Sequence, residues 1–382
     1  MSLSILGIGT AVPDHAIAQG DAAGLALAFA NAPPGRERAL AAIYRQSGIR
    51  TRGSVLLEAA TGGFDAQTFF PAADSSETRP TTGDRMARYA IEAGRLAIMA
   101  AGDAVCASGV AADEFTHLVT CSCTGFANPG VDLEIIRHLG LPASVSRTHV
   151  GFMGCHGAFN ALRVADAFVA ADPHAVVLVT CVELCSLHLQ YGSHGDHVVA
   201  NSLFADGAAA VVGVGSGHGR LAEGGWQILR QASEVLPDSE QEMGWLIGDS
   251  GFEMTLSARV PELIEGHLRP VVEQMLERLG LSVGEVATWA VHPGGPRILT
   301  GVERAFDLPG ETLAASRGVL AEHGNMSSAT ILFILDRLEK AGAAGPCVAL
   351  AFGPGLTVEM AVLGRAADAE NRPSPLPRSL PK

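Results

Sequence analysis

The stretch GFMGCHGAFNALRVADAFVAADPHAVVLVTC, residues 151–181, sets the fold class. A glycine-rich turn runs into an apolar helix, Ala158–Ala171, and a β-branched run, Ala175–Cys181, follows it. The same alternation spreads in both directions. Further strands are expected at Thr116–Thr120, Ala208–Val214, Thr288–Val291, Cys347–Phe352 and Thr357–Leu363, and further helices at Asp84–Ala100, Pro261–Leu279 and Ser327–Ala341. Apolar strands that alternate with helices point to α/β layers in which the sheets are largely buried.

The chain has 382 residues, more than one typical core holds, so two domains or two packed halves are expected. Each half runs strand, helix, strand and ends in a pair of apolar strands, which hints at duplication. The turn-rich stretch Gly213–Gly225 divides them, giving halves at 1–220 and 221–365. Segment Gly53–Gly83 lacks periodicity and reads as loops. The tail 366–382, rich in proline, reads as disordered.

Apolar residues make up 48% of the chain and charged residues 17%, enough for a large core. No run of about 18 apolar residues is free of charges, Gly and Pro, so no membrane span is expected. The start of the chain lacks the basic region of a secretory signal. A net charge of −14 argues against nucleic acid as a partner, because phosphate contacts need a basic surface. Seven cysteines without a framework spacing read as reduced thiols, and the expected location is the cytoplasm.

Three segments carry reactive side chains. Cys155 stands in a turn just before a helix, where the positive end of the helix field favours thiolate, and Gly154, Gly157 and Ala158 allow close approach. His292 ends the apolar strand Thr288–Val291 and enters the loop Pro293-Gly-Gly-Pro296, a position where α/β folds place ligands. Asn325 lies in His323-Gly-Asn-Met-Ser-Ser-Ala-Thr330, which also fits an ordinary helix cap. Cys, His and Asn together are a known set for acyl transfer. Spacing alone leaves open whether the three meet.

With these motifs, with Cys121-Ser-Cys-Thr-Gly-Phe-Ala-Asn-Pro-Gly130, with Asn201-Ser-Leu-Phe204-Ala-Asp-Gly-Ala208 and with Gly353-Pro-Gly-Leu-Thr-Val-Glu359, the chain resembles the type III polyketide synthases of the chalcone synthase family. The likeness covers about residues 3–363 and is strongest to microbial members that make alkylresorcinols or alkylpyrones. It implies a thiolase-like αβαβα fold of two duplicated halves, and a homodimer. It also implies iterative decarboxylative condensation of malonyl-CoA onto an acyl-CoA starter, with no cofactor or metal. Cys155 would carry the growing chain. His292 would keep it ionised, and with Asn325 would donate to the thioester and enolate oxygens.

The resemblance further implies a pocket lined by Phe204 (a gatekeeper), Met254, Cys123, Thr124, His188, Trp245 and Ser327, and contacts to CoA from Gly294, Gly295, Arg45 and Arg50. His188, Met254 and Trp245 are bulkier than the usual wall residues, which suits a linear aliphatic starter or a side tunnel. The basic residues that grip CoA in plant relatives fall here on Ala39, Ala42 and Gln46. Arg36, Arg38, Arg45, Arg50 and Arg52 are the nearby replacements, and an acyl-carrier protein is the alternative donor. A single-condensation ketoacyl-ACP synthase III is the rival enzyme. Gly7-Ile-Gly9 lacks the rest of a dinucleotide fingerprint. The pairs Cys121/Cys123 and Cys181/Cys185 lack a four-ligand set and read as core or pocket thiols.

Overall fold

A computed structural model of the chain describes residues 2–30, 35–59, 66–221 and 225–365. Nine strands form one hydrogen-bonded sheet, in the order Thr288–Val291, Cys347–Gly353, Thr357–Arg365, Trp226–Val235, Ser4–Ala11, Asp206–Val214, Val176–Leu184, His117–Ser122 and Ser146–Gly151. The pairings repeat. Thr288–Val291 lies parallel to Cys347–Gly353, which then pairs antiparallel with Thr357–Arg365, itself antiparallel to Trp226–Val235. On the other side His117–Ser122 lies parallel to Val176–Leu184, followed by antiparallel Asp206–Val214 and Ser4–Ala11.

Alternation along the strands shows the layers. Val177 and Val179 pack with Ala349 and Ala351 against the buried faces of two helices, Gly157–Ala171 and Thr330–Lys340. Val176 and Leu178 face the other way, onto helix Thr82–Ser108. Val348 and Leu350 face the helices Val260–Glu277 and Pro296–Phe306. The two halves of this one sheet lie on either side of the central helices, so the layers run helix, half-sheet, helix, half-sheet, helix, as the αβαβα expectation has it.

The long helix starts at a capping box of Thr81 and Asp84 and stops at Gly109, whose φ is 63°. Its alanines sit close on strand Ser4–Ala11. A Cβ at Gly7 would lie 2.5 Å from the Ala104 carbonyl oxygen, and one at Gly9 would lie 2.2 Å from that of Ala100. Gly7-Ile-Gly9 is therefore a helix seat in a central strand.

The expected elements appear with shifted ends: Thr116–Thr120 is observed as His117–Ser122, and Pro261–Leu279 as Val260–Glu277. The expected helix Ser327–Ala341 opens instead as a 3₁₀ turn, Ser327–Ala329, before the α-helix Thr330–Lys340. Ser327 has φ 46°, which no regular helix accepts. Residues 54–59 and 67–81 run as turns and bends. The stretch 60–65 and the tail expectation for 366–382 lie outside the described residues. Among the described residues no helix is long and apolar enough to cross a membrane.

Candidate active site

Cys155 stands at a turn that only small residues permit. Strand Ser146–Gly151 ends, Phe152 and Gly154 adopt φ of 59° and 73°, and the 3₁₀ turn Gly154–His156 leads into helix Gly157–Ala171. A Cβ at Gly154 would lie 2.8 Å from Pro354, and one on Gly157 would lie 2.7 Å from the Cys121 sulfur. The helix field favours a thiolate here, but burial outweighs it. Burial pushes the Cys155 thiol up to about 11, against hydrogen bonding from Ser327 and Asn325, while the Glu183 charge adds to the rise.

Asn325 is fixed by its backbone. Its N–H donates to the Leu203 carbonyl at 2.9 Å, and its carbonyl accepts from Ala205 N–H at 2.9 Å. The side-chain Oδ1 accepts from Ser327 N–H at 2.9 Å, which turns the amide nitrogen to Cys155 Sγ, 4.0 Å away. His292 is 1% exposed, and its backbone N–H donates to the Leu350 carbonyl. Neither ring nitrogen has a hydrogen-bond partner among the described residues. Burial, and then the neighbouring His156, push it down to about 3. Burial thus opposes charge on the thiol and on the imidazole alike. An unpaired buried polar atom is costly, so the two free ring nitrogens are poised to bond something else.

A small chamber, about 20 Å³ in free volume, surrounds Cys155. Its walls are Cys123, Thr124, Gly154, Cys185, Phe204, Met243, Gly244, Trp245, Met254, Ser327 and Pro354. Six of the seven expected pocket residues are thus gathered around the sulfur; His188 is the exception. Cys185, Met243 and Pro354 were not expected in the wall. Glu183, just behind it, was also missed. Its carboxylate accepts from Thr124 Oγ1 at 2.7 Å, from Cys123 N–H at 3.0 Å and from the Ser328 hydroxyl, and burial raises its pKa. The available signal was the one charged residue of a buried strand, Val176–Leu184.

Beside the chamber lies a second cavity of about 110 Å³, mostly apolar but with polar side chains such as Gln67, Gln190 and Asn201 in its wall. Leu25, Phe29, Leu56, Leu57 and Phe70 line it, and Cys185, Phe204, Trp245 and Met254 are walls of both spaces. Trp245 is tethered by its indole N–H to the Cys123 carbonyl at 2.8 Å. His188 lines the second cavity. Its Nε2–H donates to the Thr124 carbonyl at 2.6 Å, Nδ1 accepts from Phe252 N–H at 3.0 Å, and the ring stacks on Phe252 at 4.1 Å. Burial pushes its pKa down to about 3.

The residues expected to hold CoA are spread more widely. Gly295, with φ 152°, caps helix Pro296–Phe306 beside Gly294. Arg45 is exposed in the last turn of helix Glu37–Gln46. Arg50 is exposed and pairs with Glu322 at 3.4 Å. Arg52, one of the suggested replacements for the phosphate grip, is instead turned inward onto backbone carbonyls. All seven cysteines are free thiols, and among the described residues no three His, Cys, Asp or Glu side chains gather as metal ligands.

Comparison with known proteins gives the family and the fold. The family model "Chalcone and stilbene synthases, N-terminal domain" matches residues 2–218, and the C-terminal domain model matches residues 227–366. The chain is 36% identical over 360 residues to an alpha-pyrone synthesis polyketide synthase-like protein, Pks18, of Mycobacterium tuberculosis, covering 93% of this chain and 89% of that one. It is 34% identical over 365 residues to the 1,3,6,8-tetrahydroxynaphthalene synthase of Streptomyces peucetius, covering 94% and 92%. Among solved structures, PKS-I from the brown alga Ectocarpus siliculosus superposes with a TM-score of 0.87 at 30% identity, over 95% of this chain and 98% of that one.

Proposed function

The chain belongs to the chalcone and stilbene synthase family and is a type III polyketide synthase, and on that premise we propose that it extends a long aliphatic acyl-CoA with malonyl-CoA to an alkylpyrone or alkylresorcinol. One observation carries this reading: the 4.0 Å approach of Asn325 to Cys155, in a chamber that shares four wall residues with an apolar cavity. The single-condensation rival has no support in a chain that both halves of the family model match.

His292, neutral and unpaired, takes the Cys155 proton as the thiolate attacks the starter's thioester carbonyl. The carbon–sulfur bond to CoA breaks, the proton on His292 passes to the CoA sulfur, which leaves as its thiol, and Cys155 holds the acyl group. Malonyl-CoA then loses carbon dioxide, and the electron pair becomes an enolate whose oxygen accepts hydrogen bonds from His292 and Asn325. The enolate carbon attacks the Cys155 thioester carbonyl, and the bond to the Cys155 sulfur breaks, which frees the thiolate and leaves the extended chain on CoA; for the next cycle the thiolate takes the chain back and that CoA leaves. The starter's tail lies in the apolar cavity throughout, past Phe204, Trp245 and Met254. Gly294, Gly295 and Arg45 hold the CoA at the entrance.

The two halves, 1–220 and 221–365, supply Cys155 and the His292–Asn325 pair respectively. The enzyme works as a homodimer in the cytoplasm. A dimer is supported by the edge strand Ser146–Gly151, which has one sheet neighbour, and by exposed Phe126 and Met153 beside it. Incubation with a starter acyl-CoA should add one acyl mass to the peptide that contains Cys155, and Cys155→Ala should abolish polyketide formation. Acylation that maps to Cys123 or Cys185 refutes the assignment.

A further inference from the structure

Arg52 is a half-buried cation, turned inward, for which the reaction has no use, and its contacts are specific. It sits on the short strand Thr51–Gly53, which pairs with Ala16–Ala18. Its Nη1 donates to two carbonyl oxygens, that of Asn201 at 2.8 Å and that of Phe204 at 2.6 Å. These carbonyls end the helix Gly195–Leu203, where the negative end of the helix field attracts a cation. The guanidinium lies 5.7 Å from the centre of the Tyr44 ring. Its stem lies against Gly324: a Cβ there would be 3.1 Å from Arg52 Cγ.

Phe204 is a wall of both the Cys155 chamber and the apolar cavity, and Arg52 also lines that cavity. The backbone on either side of Phe204 is bonded to Asn325, through Leu203 and Ala205. One side chain therefore grips the carbonyl of Phe204 and packs on the residue that precedes Asn325. From this we infer that Arg52 is a positioning residue that fixes the Phe204 ring, and so the width of the passage by which the starter's tail reaches the cavity. The inference rests on the reading of the cavity as the seat of that tail. It gives Arg52 a part in selecting starter length, with no contact to the reacting atoms.

The experiment measures kcat/KM for acyl-CoA starters from butyryl to palmitoyl with the wild type, Arg52→Gln and Arg52→Lys. With Gln, the ratio of long-starter to short-starter kcat/KM should fall about tenfold, the scale on which a pocket wall discriminates chain length. Butyryl-CoA should be affected about twofold at most, and Lys should restore part of the ratio. In a Phe204→Ala background Arg52→Gln should change the ratio less than about twofold, because coupled positions are not additive. An equal loss for all starters would mean a merely structural role and overturns the proposal, as does an unchanged ratio. If Arg52→Gln fails to fold, Arg52→Lys decides alone: an unchanged ratio overturns the proposal and a partial fall upholds it. A wild type indifferent to starter length overturns the cavity reading, and the proposal with it. A length-dependent wild type matched by both variants overturns only the role of Arg52.

Discussion

Trp245→Gly removes the shutter between chamber and cavity. The indole stands in the wall of both spaces, tied to the Cys123 carbonyl at 2.8 Å and in ring contact with His188 at 5.6 Å and Phe252 at 5.9 Å. Its loss joins a chamber of about 20 Å³ to a cavity of about 110 Å³. Each methylene that moves from water into apolar space is worth about 0.8 kcal/mol, or about fourfold in kcat/KM. Two methylenes amount to about fifteenfold. The lost hydrogen bond and packing should destabilise the protein by about 3 kcal/mol, less than a fully buried tryptophan would, since Trp245 is half-buried. The assay is a product profile at fixed malonyl-CoA, with kcat/KM across starters of rising length. The optimum should move to starters at least two methylenes longer, while the rate of Cys155 acylation by a short starter stays within about threefold. If the folded variant, and Trp245→Leu beside it, keep the wild-type profile, this indole does not bound the tail's path and the cavity is not where the chain goes.

Two further outcomes are expected. Asn325→Ala should lower malonyl-CoA decarboxylation by about 10²–10³ while Cys155 is still acylated by the starter, measured by carbon dioxide release and intact-protein mass; equal loss of both would remove the enolate role. His188 is held neutral, with its pKa lowered from 6.5 to about 3, so the unfolded chain binds more protons between those values. Its contribution to stability is whole above about pH 6.5 and is lost as pH falls towards 3, by about 1.4 kcal/mol per unit. Asp206 and His292 titrate alike in both proteins, so the wild type should lose about 2 kcal/mol more than His188→Phe between pH 6.5 and pH 5, read from urea midpoints. Identical pH dependence would mean that His188 is not neutral by burial.

The parts of the site legible in the sequence are those with local causes. Gly154 and Gly157 mark a turn that no larger residue fits, and the loop after His292 follows a strand that ends where expected. The approach of Cys155 to Asn325 could be expected only through resemblance, because 170 residues separate them. What stayed hidden has distant causes. Gly7 and Gly9 read as a failed fingerprint, since their partners Ala100 and Ala104 lie on a helix far along the chain. Arg52 read as a surface cation because nothing nearby in sequence shows the carbonyls that it serves. The cavity takes its lining from several separated segments, so no single stretch announces it.

The Phe204–Asn325 bridge sets the terms for altering this enzyme. Phe204 and Asn325 are paired as neighbouring backbone by two bonds, from Asn325 N–H to the Leu203 carbonyl and from Ala205 N–H to the Asn325 carbonyl. Here substrate gate and enolate donor are neighbours on paired backbone, so a substitution at 204 that disrupts the backbone, such as proline, will be transmitted to catalysis. The opposite wall is built differently. Trp245 and Met254 face each other across a hairpin, Met243–Gly248 and Gly251–Leu256, which forms a two-stranded sheet apart from the main one. That wall can vary without moving the donor, so product range is more freely diversified by substitutions in the hairpin than by those at the Phe204 gate.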